Sequence, residues 1–380
     1  MTCEPGSRGR LLSMLPVGAY SQQGLAEYWR SWLNGLAALG YIEDSVDPEI
    51  ENGADTFKVT YCTADFDGRP ILASGLLALP RTEQRAPTVM YSHGTAVTRV
   101  DTPSNPDVAA VFDGPSPMVV FAGHGYVFLA PDLTGFGDSS APRHRYLHAD
   151  TVAWSTLDLW LAVNESALYR GRADGRLFNT GYSQGSHTAL AFAAEAEAAG
   201  VKIAATLLGG VISNPEAWFA WLIDQVDSSY LQVYAADILV SYQDVYGDVY
   251  GHTAEAFAAP YATTIDELFD MSSTYEEVIA GLPGSSAELL TPEFLEEIHD
   301  PSSPIRVHLR ENARDDVCLR APIRMIHMID DDEVPYELGL DALTRLVACN
   351  DIELVDWIDT DHLKTWHETL PEVRRWFDTF

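Results

Sequence analysis

Residues 181–185 read Gly-Tyr-Ser-Gln-Gly and follow a short apolar run, Leu177-Phe178-Asn179-Thr180. Gly-x-Ser-x-Gly is the pattern of a sharp strand-to-helix turn that projects the central hydroxyl from its apex. Glycines at both flanks let other backbone pack closely around such a turn. The segment that follows, Ser186-His187-Thr188-Ala189-Leu190-Ala191-Phe192-Ala193-Ala194, is Ala-rich and suits a helix. The context of strand, turn and helix makes Ser183 the candidate nucleophile, and the chemistry open to it is acyl transfer through an acyl-serine.

A serine hydroxyl needs a base to take its proton, and the base needs a carboxylate to orient it. In chains with this turn the order is serine, acid, histidine, with the last two in loops after later strands. The apolar run Ile323-Arg324-Met325-Ile326-His327-Met328-Ile329 leads into Asp330-Asp331-Asp332-Glu333-Val334-Pro335. Asp331 is the candidate acid, because its place after His327 and before Pro335 matches the spacing H-G-x-x-D-x-x-V-P. Asp330 and Asp332 read as solvated loop charges. A last strand ends near Asp359-Thr360-Asp361-His362, and His362 is the candidate base, with His367 as the alternative. His187, four residues past Ser183 on the same helix, should point into packing.

Acyl transfer also needs two donors for the oxyanion. One is the backbone N–H after the nucleophile, that of Gln184; the other comes from the loop after the third strand. That loop reads His93-Gly94-Thr95-Ala96, directly after Met90-Tyr91-Ser92. Thr95 is assigned the second donor, with Gly94 or Ala96 as substitutes, and His93, Gly94 and Tyr182 are candidate substrate contacts. The glycine-rich stretch Pro131-Asp132-Leu133-Thr134-Gly135-Phe136-Gly137-Asp138-Ser139 lacks the Gly-Lys-Ser/Thr ending of a phosphate loop. Its expected role is shape beside the site.

The elements that must position these groups alternate. Phe57–Thr63 and Ile71–Leu79 read as a hairpin around the turn Asp65-Phe66-Asp67-Gly68. Buried-strand runs follow at 87–92, 126–130, 177–180 and 204–212, separated by helical segments at 153–169 and 183–199. Alternation of this kind predicts an α/β fold: a mostly parallel sheet flanked by helices. The division expected is a polar tail and helix over 1–50, a first core part over 51–212, a helical cap over 213–304 and a second core part over 305–380. A closing helix is expected from about residue 370. In the cap, Trp218, Phe219 and Trp221 are candidate lining residues of an acyl or alcohol pocket, beside many tyrosines.

The chain has 380 residues, 23 of them Lys or Arg and 56 Asp or Glu, for a formal charge of −33. Only Lys58, Lys202 and Lys364 are lysines. This acidity argues against nucleic acid and anionic membranes as partners; it fits a saline habitat or an arginine-preferring genome, and composition does not separate the two. No run of about 20 apolar residues is present, so no membrane-spanning helix is expected. The first residues do not read as a signal peptide. Cys3 reads as a lipoprotein anchor left after signal removal, or as a free thiol in a flexible tail. Cys318 and Cys349 each precede a strand, and if those strands are parallel neighbours the two sulfurs come within bridging range. A disulfide there implies an oxidising compartment, secreted or periplasmic, rather than the cytoplasm.

These motifs resemble the α/β-hydrolase superfamily, and within it the bacterial esterases and lipases of the secretory-lipase type. The matching pieces are Tyr61-Cys62-Thr63 through Gly75-Leu76-Leu77-Ala78-Leu79-Pro80, Ser92-His93-Gly94-Thr95, the 131–139 stretch, Tyr146-Leu147-His148-Ala149, the Ser183 turn and the Asp331/His362 pair. They span most of 50–212 and 320–380, while the cap matches poorly. Ser186 departs from the pattern, since relatives commonly carry a second glycine there. The resemblance implies hydrolysis of a small-molecule ester or lipid through an acyl-serine, with no metal and no cofactor. A serine peptidase or amidase on the same fold is the alternative, and a non-catalytic binding protein a further one. The sequence does not specify the oligomeric state.

Overall fold

A computed structural model of the protein describes residues 2–38, 50–105, 114–357 and 362–380. Its strands are β1 (Leu11–Tyr20), β2 (Ala54–Ala64), β3 (Pro70–Pro80), β4 (Ala86–Ser92), β5 (Val127–Pro131), β6 (Ala173–Tyr182), β7 (Ala205–Gly209), β8 (Ile323–Met328) and β9 (Ile352–Trp357). They form one sheet in the order β1-β2-β3-β5-β4-β6-β7-β8-β9. Pairing is antiparallel from β1 through β2 and β3 to β5. From β5 through β4, β6, β7 and β8 to β9 it is parallel.

Parallel strands covered by helices on both faces lose the polar alternation of a half-exposed strand. Every residue of β5 and β7 is buried accordingly. One face packs against Leu25 and Trp29 of the helix Gln22–Ala38, Val119–Ala122 of the helix Ser116–Gly123, and Trp366, Leu370 and Phe377 of the C-terminal helix. The other packs against Leu157 and Val163 of the helix Ala149–Glu165 and Leu190 and Phe192 of the helix Gln184–Ala198. This is the expected α/β fold.

Between β7 and β8 the chain forms short helices around a core of their own, built on Trp218, Phe219, Tyr234, Ile238, Tyr242 and Phe294. Ile305 and Leu309, on the helix Pro304–Glu311, belong to the same core, so this packing unit continues beyond residue 304.

Three features depart from the sequence reading. Residues 11–20, read as part of a polar tail, form β1. It pairs on one side only, with β2, and such an edge tolerates Pro16, which has no N–H to give a ladder. Cys3 is neither a free thiol nor an anchor, because it is bonded to Cys62 on β2, which ties the N-terminus to the sheet. The C-terminal helix begins at His362, not near residue 370, and carries Pro371 within it. Proline normally marks a helix boundary, but the buried face of Trp366, Leu370, Val373 and Phe377 holds the helix through it.

Cys318 and Cys349 form a disulfide, and Ile323 and Ile352, which open β8 and β9, are direct partners in the parallel ladder. The bridge spans 31 residues of sequence, a closure worth about 3.7 kcal/mol against the unfolded chain. Replacing both cysteines by serine is therefore expected to lower denaturant-unfolding stability by about 2–4 kcal/mol, read as a lower midpoint with a somewhat steeper slope, because the unfolded chain without the bridge exposes more surface. No change in that midpoint would show that the bridge constrains little.

Candidate active site

β6 runs into the helix Gln184–Ala198 through Ser183, whose φ of 55° and ψ of −124° lie where few non-glycine residues go. Hydrogen bonds hold the turn. The Ser183 N–H donates to the Gly209 carbonyl at 2.9 Å, and the Ser186 N–H to the Ser183 carbonyl at 2.8 Å. Ser186 Oγ also donates to that carbonyl at 2.6 Å and accepts from the Ile212 N–H at 2.9 Å. The departure from a second glycine thus supplies a hydroxyl that ties the turn to the segment after β7.

Glycine is required on both flanks. A Cβ on Gly185 would stand 2.0 Å from the Ser92 carbonyl oxygen, and one on Gly181 2.0 Å from the Gly185 carbonyl oxygen. Both obstacles are backbone, so Gly185→Ala is expected to cost about 3 kcal/mol or more by overpacking and to displace Ser183. Thermal melts check the first effect, and a native melting temperature would contradict the reading of the contact. The same contact sets the His93–Ala96 loop against the turn, since that Cβ would also come within 2.8 Å of the His93 carbonyl oxygen. Gln184 opens its helix, so its N–H has no partner within that helix. Thr95 is buried, and its hydroxyl shares a hydrogen bond of 2.8 Å with Tyr146.

Asp331 and His362 come together. His362 Nδ1 lies 3.0 Å from Asp331 Oδ1 and 2.9 Å from Oδ2. Asp331 Oδ1 also accepts the backbone N–H groups of Glu333 at 3.0 Å and Val334 at 2.7 Å. Burial raises the Asp331 pKa, but the His362 charge, its hydrogen bond and the other donors outweigh that and hold it below the usual carboxylate value. The His362 ring sits beside Gly210, whose Cβ position is 2.7 Å from Cε1. Its Nε2 is buried and makes no hydrogen bond, so the link to Ser183 is not closed in this conformation. Such links often tighten only with substrate bound.

Other placements separate the candidates. Asp330 and Asp332 are exposed, as expected for solvated charges. His367, the alternative base, hydrogen-bonds Ser116 Oγ through Nδ1 at 3.1 Å. His187 is buried with Nε2 on the Asn312 carbonyl at 2.9 Å. Tyr182 packs against His362: it is buried, stacks on Trp366 with centroids 4.8 Å apart, lies 4.8 Å from the His362 ring and donates to the His362 carbonyl. His93 is buried with Nδ1 on the Gly94 carbonyl at 2.8 Å. Trp218 and Phe219 are buried and Trp221 partly so, all packed in the helical insertion's own core. Trp218 also reaches the acid loop, donating through Nε1 to the Glu333 carbonyl at 2.8 Å. The loop Asp359–Asp361 lies outside the described residues.

Two residues near the acid carry roles that spacing does not reveal. His327 accepts the Val211 N–H at Nδ1 (3.2 Å) and donates from Nε2 to the Val334 carbonyl at 2.8 Å. It braces the acid loop as a neutral ring, its pKa lowered by burial. Glu333 is buried, 3.9 Å from His362 Nε2, and accepts from Tyr234 Oη at 2.6 Å. Burial raises its pKa. Burial alone would lower the pKa of His362; the charges of Asp331 and Glu333 override it and push the imidazole up to about 9.

A cavity bounded by Tyr20, Tyr91, His93, Thr102, Met118 and Phe128 touches the site only through His93, and neither Ser183 nor His362 lines it. Among the described residues no group of three or more His, Cys, Asp or Glu is arranged to hold a metal ion, and no helix is long and apolar enough to cross a membrane.

Comparison with solved structures identifies the fold. The rice cell wall degrading esterase LipA from Xanthomonas oryzae superposes with a TM-score of 0.85 at 22% identity, over 97% of this chain and 98% of that one. A Legionella pneumophila protein described as a hydrolase gives 0.86 at 22% identity, over 97% and 98%. Candida antarctica lipase A gives 0.72 at 15% identity, over 98% and 83%. The chain therefore has the α/β-hydrolase fold. No protein-family model and no curated protein matches it.

Proposed function

We propose that the protein is a serine hydrolase of carboxylic esters. The observation that supports this reading is His362, held at Nδ1 by a buried carboxylate and without a hydrogen bond at Nε2, its ring against Gly210, the residue after the carbonyl that holds the Ser183 N–H. In the reaction Ser183 Oγ bonds to the ester carbonyl carbon while its proton passes to His362 Nε2. The N–H groups of Gln184 and Thr95 stabilise the oxyanion, a contribution of roughly 10²–10³-fold per donor. The carbonyl re-forms, the C–O bond to the alcohol breaks, and the alcohol leaves with the proton from Nε2. Water then attacks the acyl-serine, giving a proton to Nε2, which returns it to Ser183 Oγ as the acid departs. No metal or cofactor enters these steps.

LipA is described as a cell wall degrading esterase, and a small-molecule ester is the substrate class proposed for this chain. The insertion between β7 and β8 reaches the acid loop through Trp218 and Tyr234, so it acts as a cap that limits what enters. Two disulfides place maturation in an oxidising compartment. The test is reaction with a fluorophosphonate together with turnover of nitrophenyl esters of graded acyl length. A single adduct on Ser183 and ester turnover support the reading. Intact protein that gives neither, or that turns over aminoacyl amides in preference to esters, overturns it.

A further inference from the structure

We infer that Glu333 is a positioning residue for His362, a second carboxylate whose charge lies toward the nitrogen that must accept the Ser183 proton and so sets the pH at which that transfer starts. The inference rests on the hydrolase reading and adds to it a determinant of its pH range.

Asp331 occupies the Nδ1 edge of the ring at 2.9 Å, and Glu333 Oε2 stands 3.9 Å from Nε2. One imidazole therefore lies between two carboxylates, both largely removed from solvent. A single buried partner suffices to fix the tautomer and orientation of a catalytic histidine. The second instead favours the imidazolium, the form that cannot act as a base. Nε2 makes no hydrogen bond although it is buried, so charge rather than a closed bond couples it to Glu333.

The surroundings hold Glu333 in place. Tyr234, on the helix Ser229–Tyr246, donates to Oε2 at 2.6 Å, and Tyr275, at the start of the helix Tyr275–Gly281, donates to Tyr234 Oη at 3.3 Å. The Trp218 indole fixes the Glu333 carbonyl, and the Glu333 N–H is bound to Asp331. The titratable groups that act on the pair are Asp331 and Asp332 on its own loop, Tyr230 and Tyr234 on one cap helix, Tyr275 on another, Tyr146 before the helix Ala149–Glu165, and His327 on β8. Among these groups no second cation lies beside His362: burial keeps His327 neutral, and the pKa values of Tyr230, Tyr234 and Tyr146 are raised. Two carboxylates thus share one imidazolium, and they titrate with it as a unit.

The experiment compares wild type with Glu333→Gln, which keeps the side chain's shape and removes its charge, and with Glu333→Asp, which keeps the charge. The titration of the His362 ring is followed by NMR on protein labelled at histidine Cε1, the signal being identified by its loss in His362→Gln. In parallel, kcat/KM for a soluble nitrophenyl ester is measured across the same pH range. The expected result is a wild-type midpoint and acid limb well above the ordinary imidazole value of about 6.5. Glu333→Gln moves both down by on the order of one pH unit, so that activity near neutral pH rises several-fold relative to its own alkaline plateau, and Glu333→Asp stays near wild type. A merely structural role would change the plateau and leave the limb in place. Coincident midpoints in wild type and Glu333→Gln overturn the inference, as does a wild-type midpoint at or below about 6.5, which needs no variant to fold. The NMR titration reads the inference without turnover, so a protein that shows the shift but hydrolyses no ester counts against the hydrolase reading alone.

Discussion

Replacing Ser183 by alanine is expected to lower kcat for ester hydrolysis by on the order of 10⁵–10⁶-fold, to the level of an empty oxyanion site. Stability should barely change. What holds the turn is backbone and neighbours: the Ser183 N–H on Gly209, its carbonyl under Ser186, and the flanking glycines. Alanine keeps all of these and suffers the same positive φ. The variant should melt with wild type, bind substrate with similar KM and form no fluorophosphonate adduct. Activity within about tenfold of wild type in a stably folded Ser183→Ala would remove the acyl-serine and the function built on it.

The second large effect is expected from Asp331→Asn, a loss of about 10⁴-fold in kcat with the fold retained. The geometry gives the reason. Asp331 Oδ1 accepts two backbone N–H groups, from Glu333 and Val334, and an asparagine must keep its oxygen there. Its NH₂ is then forced toward His362 Nδ1, which has to turn acceptor. The ring proton moves to Nε2, and the nitrogen that should take the Ser183 proton already carries one. Asp330→Asn and Asp332→Asn serve as controls with near wild-type rates, since both residues are exposed; Asp332 hydrogen-bonds Tyr230 Oη at 3.0 Å, and its charge acts on His362 less than those of Asp331 and Glu333 do. A rate loss shared equally by all three variants would mean that the charge of the loop as a whole, not the tautomer of one ring, is what matters.

Much of this arrangement is legible in residue order because its signals are local. Gly-x-Ser-x-Gly after an apolar run specifies a turn whose geometry depends on its own five residues and on small neighbours. The four buried strands from β4 to β7 are short apolar stretches bounded by polar or glycine residues, and each appears within a residue or a few of where it was expected. The β8–β9 disulfide follows from two strands being neighbours. The misreadings share one cause, that local propensity yields to contacts far away in the chain. Pro16 does not prevent a strand, because β1 uses only one of its edges. Pro371 does not end a helix, because four large apolar residues of that helix are buried against the sheet.

What residue order determined by itself was the kind of chemistry available and the chain of elements that carries it, because nucleophile, acid and base must follow strand ends in a set order. Only the folded molecule decided which charges surround His362. Glu333 reads as one more acid in a run of four, indistinguishable from its exposed neighbour Asp332. It becomes a partner of His362 when the tyrosines of a helical insertion about 60 and 100 residues upstream close over it and exclude water. The strength of a charge depends on the solvent it has lost, and that loss is a property of packing which no stretch of neighbouring residues encodes.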